Sequence, residues 1–245
     1  MGIESEYPEI YSLPVNKRLA EKLDKVYRWH GSIQLPEGHE SDLNHTDSMV
    51  TIAQGILERY PVIGEFINRD TLMKTIILHD VAEVFVGDAP QEMNSEQRKH
   101  HDIQEEQKGR MLLRDPELKA MFSSMFELPD DQLEPLLCKY IDKMQAGLFL
   151  MHEMARYHPT SKIKKELEMY EIPGETKYGD KIEKLLCGEA KDNFQELRQV
   201  YSAYISNPHI YGNVDRSVPA KANTRVKGER PANGSPAHRE PGEAE

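Results

Sequence analysis

Ile76-Ile77-Leu78-His79-Asp80-Val81-Ala82-Glu83-Val84-Phe85 is the stretch on which the fold of this chain turns. It sets three ionisable side chains, His79, Asp80 and Glu83, in an otherwise apolar segment. Burying such groups is costly unless they are paired or bind metal. The periodicity predicts a helix from about Asp70 to Phe85, with Leu72, Ile76, His79 and Glu83 in line and Gly87 and Pro90 ending it. At about 100° per residue, Asp80 lies about 100° and Glu83 about 40° round from His79, so all three share one side of the helix. One ion could meet all three.

Working outward, the same device recurs. From His45 to Tyr60 the residues Met49, Ile52, Ala53, Ile56, Leu57 and Tyr60 form one apolar stripe that Pro61 terminates, and His45 lies on that stripe. Asp142 follows Leu136-Leu137-Cys138-Lys139-Tyr140-Ile141 on a Leu- and Met-rich helix expected from Asp130 to Tyr157. Imidazole and carboxylate ligands together suit a divalent first-row metal, and His45 and Asp142 can complete the set begun by His79 and Asp80. A second His-Asp pair, His101-Asp102 with Glu105 at the matching offset, lies among Arg98, Lys99, His100, Gln104 and Glu106. That composition is expected of a solvated helix face, and no metal is assigned to it.

Further helices are expected from Asn16 to Trp29, Ser95 to Leu113 and Asp180 to Ser206, and no segment alternates as a strand would. The fold class is therefore all-α, a helical bundle in a single domain over 1–212. Beyond it, 213–245 carries Pro219, Pro231, Pro236 and Pro241 with few large apolar residues. It cannot bury enough surface to offset its ordering entropy and is expected to be a disordered tail.

Composition excludes several classes. A net charge of −11 argues against broad nucleic-acid binding, which depends on Lys and Arg replacing counterions. No apolar run approaches membrane-spanning length, and Glu4, Glu6 and Glu9 at the start are unlike a secretory signal, so a cytoplasmic location is expected. Cys138 and Cys187 have no pairing pattern and are expected to be buried free thiols.

The order His45, His79-Asp80, Asp142 resembles the H…HD…D signature of HD-domain phosphohydrolases. Arg28-Trp29 before the first histidine, Glu83 after the pair, and the Gly87-Asp88-Ala89-Pro90 turn extend the likeness to the bacterial 5′-deoxynucleotidases and their eukaryotic HD-domain relatives, over about Leu19 to Met154. One departure is Asn44, where an acidic residue is usual before the histidine.

The resemblance implies a helical, commonly dimeric enzyme that uses one divalent transition metal ion, Co²⁺, Mn²⁺ or Zn²⁺, to remove phosphate from deoxyribonucleoside 5′-monophosphates. His45, His79, Asp80 and Asp142 would be its metal ligands, and Asp80 would also belong to the catalytic set with Glu83, which handles the proton. Arg28 would clamp the phosphate through its planar guanidinium. Trp29 would lie against the sugar. Asp88 is read equally as a substrate contact and as a turn residue. The partner is then a small nucleotide, with no nucleic acid or membrane, and a homodimer is implied.

Three alternatives stand beside it. A triphosphohydrolase acting on dNTPs, like those of phage that act on dATP, shares the motif order, and the chain's acidity leans away from its more charged substrate. A di-iron HD oxygenase would need further histidine ligands, for which only His100 and His101 are available between Asp80 and Asp142. A noncatalytic nucleotide-binding module would usually have lost ligands that are all present here.

Overall fold

A computed structural model describes residues 17–28, 40–89, 93–152 and 160–206. Trp29, the 213–245 segment and the proposed 212/213 boundary lie outside them, as do His30, His39 and Met154. Helices are the regular secondary structure of the described residues, with an isolated Tyr27–Ser41 bridge as the one β-type pairing among them.

In chain order the helices are α1 (Lys17–Leu23), α2 (Asp42–Arg59), α3 (Pro61–Gly64), α4 (Arg69–Leu78), α5 (Glu83–Val86), α6 (Ser95–Leu112), α7 (Pro116–Glu127), α8 (Leu133–His152), α9 (Thr160–Glu166), α10 (Ile172–Leu185) and α11 (Gly188–Ile205). A π-helical turn, Leu167–Glu171, joins α9 to α10. Local chemistry sets many of these boundaries. Ser41 caps α2 by accepting from Asn44 N, Asn94 and Gln97 form a reciprocal capping box on α6, and Asp115 with Pro116 opens α7. Each cap satisfies backbone N–H groups that the first helical turn leaves free.

The core is built around α8, which packs on α2, α4, α7 and α10. Its Leu136, Cys138, Tyr140 and Ile141 are fully buried against Leu72, Met73 and Ile76 of α4 and Met49 and Ala53 of α2. Burying a large apolar side chain of this kind contributes about 1.5–3 kcal/mol. Tyr140 also meets Phe194 of α11 with ring centroids 5.1 Å apart. Met144 and Met151 are core residues, as their spacing suggests. Cys138 is buried, whereas Cys187 is exposed at the start of α11.

Several helical expectations are corrected. The first helix ends at Leu23, and the chain turns into an extended segment in which Arg28 N donates to Glu40 O and Asp42 N to Val26 O. The helix expected over Asp180 to Ser206 is two, because Leu186 and Cys187 are extended and Gly188 takes a positive φ of 53°. That break lets Leu186 turn into the core. The most consequential break is in the opening stretch: α4 stops at Leu78, a turn covers His79 to Ala82, and α5 begins at Glu83. Here Val81 N bonds Leu78 O and Glu83 N bonds Asp80 O, a tighter i+3 pattern. The 100° bookkeeping of a continuous helix therefore does not apply across the His-Asp pair.

Candidate active site

The break at His79 is held by the histidine itself. Its Nδ1–H donates to Ile76 O at 2.6 Å, and the same carbonyl receives His79 N in place of a residue one turn further on. A carbonyl oxygen only accepts, so Nδ1 carries the proton and Nε2 is left with a lone pair. His45, wholly buried on α2, has its Nδ1 2.6 Å from the side-chain oxygen of Gln145 on α8, which leaves its Nε2 in the same state. Neither Nε2 has a hydrogen-bond partner among the described residues.

Both lone pairs meet carboxylates. Nε2 of His45 lies 3.2 Å from Asp142 Oδ1, and donor atoms of His45, His79 and Asp142 lie within 4.8 Å of one another. Asp80 Oδ2 adjoins them, 2.8 Å from His79 Nε2 and 3.8 Å from His45 Nε2. Lone pairs facing carboxylates in a buried site repel unless a cation or a proton lies between them. Two imidazole nitrogens and two carboxylates are a donor set that fits a divalent first-row ion. The four residues singled out from the sequence are thus brought together from α2, the His79 turn and α8.

Arg28 spans the two acids, with Nη1 3.1 Å from Asp80 Oδ2 and Nη2 3.6 Å from Asp142 Oδ1. Burial opposes ionisation of both acids. For Asp80, His79 and His45 when protonated at Nε2, together with Arg28, outweigh it, and for Asp142, Lys143, protonated His45 and Arg28 do, so a proton on these imidazoles, like a cation between them, holds both carboxyls well below the usual range. Glu83 behaves oppositely: burial first, then Asp80, Asp42 and Asp88, push it well above the ordinary value.

Glu83 groups with Asp42 and Asp80 rather than with the imidazoles. Asn44 is exposed, and the acidic residue that the first turn of α2 does bury is Asp42. Asp42 is fully buried, and burial followed by the Asp80 charge raises it to about 8.

A cavity of about 560 Å³ adjoins the site, and its wall includes Arg28, Asp80, Glu83, Asp88 and Asp142 but not the buried Asp42, His45 or His79. Asp88 follows Gly87, whose φ of 75° closes α5, so it combines a place at a turn with a place in the wall. Sequence reasoning missed Lys139 and Lys143, which line the cavity one turn before and directly after Asp142. Lys143 Nζ is 3.4 Å from Asp142 Oδ2 and 3.7 Å from Glu171 Oε2. A helical offset of three from Asp142 was the signal that could have found Lys139.

The second His-Asp pair is corrected in part. Asp102 is exposed, but His101 and Glu105 are buried, at 8% and 9% exposure, with His101 Nε2 donating to Gly87 O at 3.1 Å. Glu105 reaches the cavity wall, where burial, against the pull of Lys139, raises its pKa from 4.5 to about 8. The folded chain therefore keeps a proton that an unfolded glutamate releases, and stability falls as pH rises through the window from 4.5 to about 8. Glu105→Gln is expected to match the wild type in unfolding free energy at pH 4.5 and to exceed it at pH 8.5 by at least about 1 kcal/mol. Thermal unfolding of both proteins at the two pH values checks this, and equal pH dependence would count against it.

An all-helical fold around a buried His, His-Asp and Asp cluster at the end of a cavity defines an HD-domain phosphohydrolase. The family model described as 5′-deoxynucleotidase YfbR-like matches residues 17–173, more than half of the chain, and the chain belongs to that family of metal-dependent nucleotide hydrolases. No curated protein and no solved structure matches it. Among the described residues no helix is long and apolar enough to cross a membrane.

Proposed function

We propose that the protein removes the phosphate from deoxyribonucleoside 5′-monophosphates, with His45, His79, Asp80 and Asp142 holding one divalent transition metal ion. The observation that carries this is the pair of buried imidazoles, each with Nδ1 committed to an acceptor and Nε2 turned toward Asp80 or Asp142. A divalent ion at that point would supply Lewis-acid charge, making a nearby water more acidic and offsetting phosphate charge.

The chain's own residues do the rest. Glu83, whose raised pKa lets it hold a proton as well as accept one, takes a proton from the attacking water and passes it to the leaving 5′ oxygen. The water oxygen bonds to phosphorus, the bond from phosphorus to the 5′ oxygen breaks, and the leaving oxygen takes up a proton to give a deoxynucleoside and orthophosphate. Arg28 moves from its shared place between Asp80 and Asp142 to hold two phosphate oxygens through its guanidinium fork. Trp29, next in sequence, would lie against the sugar, and Asp88 would contact the nucleoside from the cavity wall.

A monophosphate is favoured over a triphosphate because the matching family model is that of a 5′-deoxynucleotidase, and because Arg28 and Lys143, the cations beside Asp142, are each already shared between carboxylates. The deciding experiment is a screen of mono-, di- and triphosphates with Co²⁺, Mn²⁺ and Zn²⁺, separating orthophosphate from tripolyphosphate by ion chromatography. Orthophosphate from dNMPs is expected. Tripolyphosphate from dNTPs as the main product would replace the reading. We also read the protein as a homodimer, which light scattering on the purified chain tests directly.

Arg28→Lys gives a sharper check of the clamp. Lysine keeps the charge but not the planar fork, so KM for a dNMP is expected to rise about 10- to 100-fold, the loss of one charge-assisted hydrogen bond. Steady-state kinetics with unchanged KM would remove Arg28 from the phosphate site.

A further inference from the structure

Gln145 lies on α8 one turn beyond Asp142 and is 4% exposed. Its amide is held on both sides by buried groups distant in sequence. Nε2 donates to Glu40 Oε1 at 2.7 Å, and Oε1 faces His45 Nδ1 at 2.6 Å. Glu40 is itself 3% exposed.

The proton positions along this chain are forced. A carboxylate only accepts, so Gln145 must turn its NH₂ toward Glu40 and its carbonyl oxygen toward His45. That oxygen also only accepts, so His45 must place its proton on Nδ1. Its Nε2 is then the lone-pair nitrogen, 3.2 Å from Asp142 Oδ1. At the other end, Glu40 Oε2 is 3.9 Å from Arg28 Nε, and the Glu40 backbone oxygen accepts from Arg28 N at 3.1 Å. Side-chain hydrogen bonds thus run from Glu40 through Gln145 to His45, and a backbone hydrogen bond with a longer ion pair sets Arg28 beside Glu40.

We infer that Gln145 is a positioning residue that sets the tautomer and ring orientation of His45, and that through Glu40 it ties this imidazole to Arg28. The inference rests on the reading of His45 as a metal ligand. Groups that fix a ligating histidine from behind alter metal affinity about 10- to 100-fold when removed. His79 is fixed by a backbone carbonyl instead, so it provides an internal comparison that Gln145 should not affect.

The test uses the full chain, stripped of metal, with Co²⁺ as the probe. Gln145→Leu, which keeps much of the volume and loses both hydrogen bonds, is expected to weaken Co²⁺ binding about 10- to 100-fold. In ¹⁵N NMR His45 should lose its single Nδ1-protonated tautomer while His79 keeps its own. Gln145→Glu still offers His45 an acceptor, and because two buried carboxylates this close cannot both ionise, it shares a proton with Glu40 and keeps that contact. It should therefore retain the tautomer, most of the Co²⁺ affinity and a KM for the nucleotide close to wild type, a rescue that Gln145→Leu does not show. Should the leucine variant fail to fold, Gln145→Glu and Glu40→Gln carry the comparison, the latter freeing the amide to turn and mixing the His45 tautomers.

Wild-type Co²⁺ affinity together with an unchanged His45 tautomer in Gln145→Leu, or in Glu40→Gln where that variant carries the test, would overturn the inference. If His45→Ala binds Co²⁺ as tightly as the wild type, the metal reading itself falls. If His45→Ala loses Co²⁺ and Gln145→Leu does not, only the positioning role falls.

Discussion

Asp80→Asn is expected to lower kcat/KM on the order of a thousandfold and to leave the purified protein depleted of metal. Asp80 Oδ2 is the point where the site's elements meet, 2.8 Å from His79 Nε2, 3.8 Å from His45 Nε2 and 3.1 Å from Arg28 Nη1. Asparagine preserves the shape but removes the charge that draws these groups to one place. It can also present an N–H to Arg28, which has only donors and cannot receive it. Metal analysis and turnover should therefore fall together. An Asp80→Asn protein with wild-type metal content and wild-type turnover would exclude Asp80 from the centre.

Glu83→Gln should separate those two quantities. Glu83 is buried and aligned with Asp42 and Asp80, not with the imidazole nitrogens. Its loss is expected to cut kcat by about 10²- to 10⁴-fold, the usual contribution of a positioned proton-transfer group. Metal content and KM should stay close to wild type, because neither His nitrogen loses a partner. Phosphate release measured beside metal analysis distinguishes the cases: a parallel loss of metal would make Glu83 a ligand, and unchanged kcat would remove it from proton transfer.

Much of this site is legible along the chain because burial of an ionisable group is expensive and therefore conspicuous. His45, His79, Asp80 and Asp142 each interrupt or adjoin an apolar stripe, and the structure brings their side chains to one place. The same logic failed at His101 and Glu105. Their neighbours are polar, so the sequence suggested a solvated face, yet α6 packs against α5 and α7 and buries one strip of itself. A polar helix can hide a single line of residues, here His101, Glu105 and Gly109, without any apolar period to announce it.

The stretch from Ile76 to Phe85 shows the division most clearly. Its composition alone determined that polar groups would be buried on a helical element, and hence the all-α class, the metal-compatible donor types and the family likeness. Only the tertiary structure decided that the α-helical hydrogen bonding lapses at His79, whose ring nitrogen competes for the Ile76 carbonyl while its backbone keeps right-handed helical angles. Tertiary contact alone also joined Glu40 and Gln145, 105 residues apart, behind His45. Periodicity records which face of an element is buried, and hydrogen bonds across such a separation leave no periodic trace.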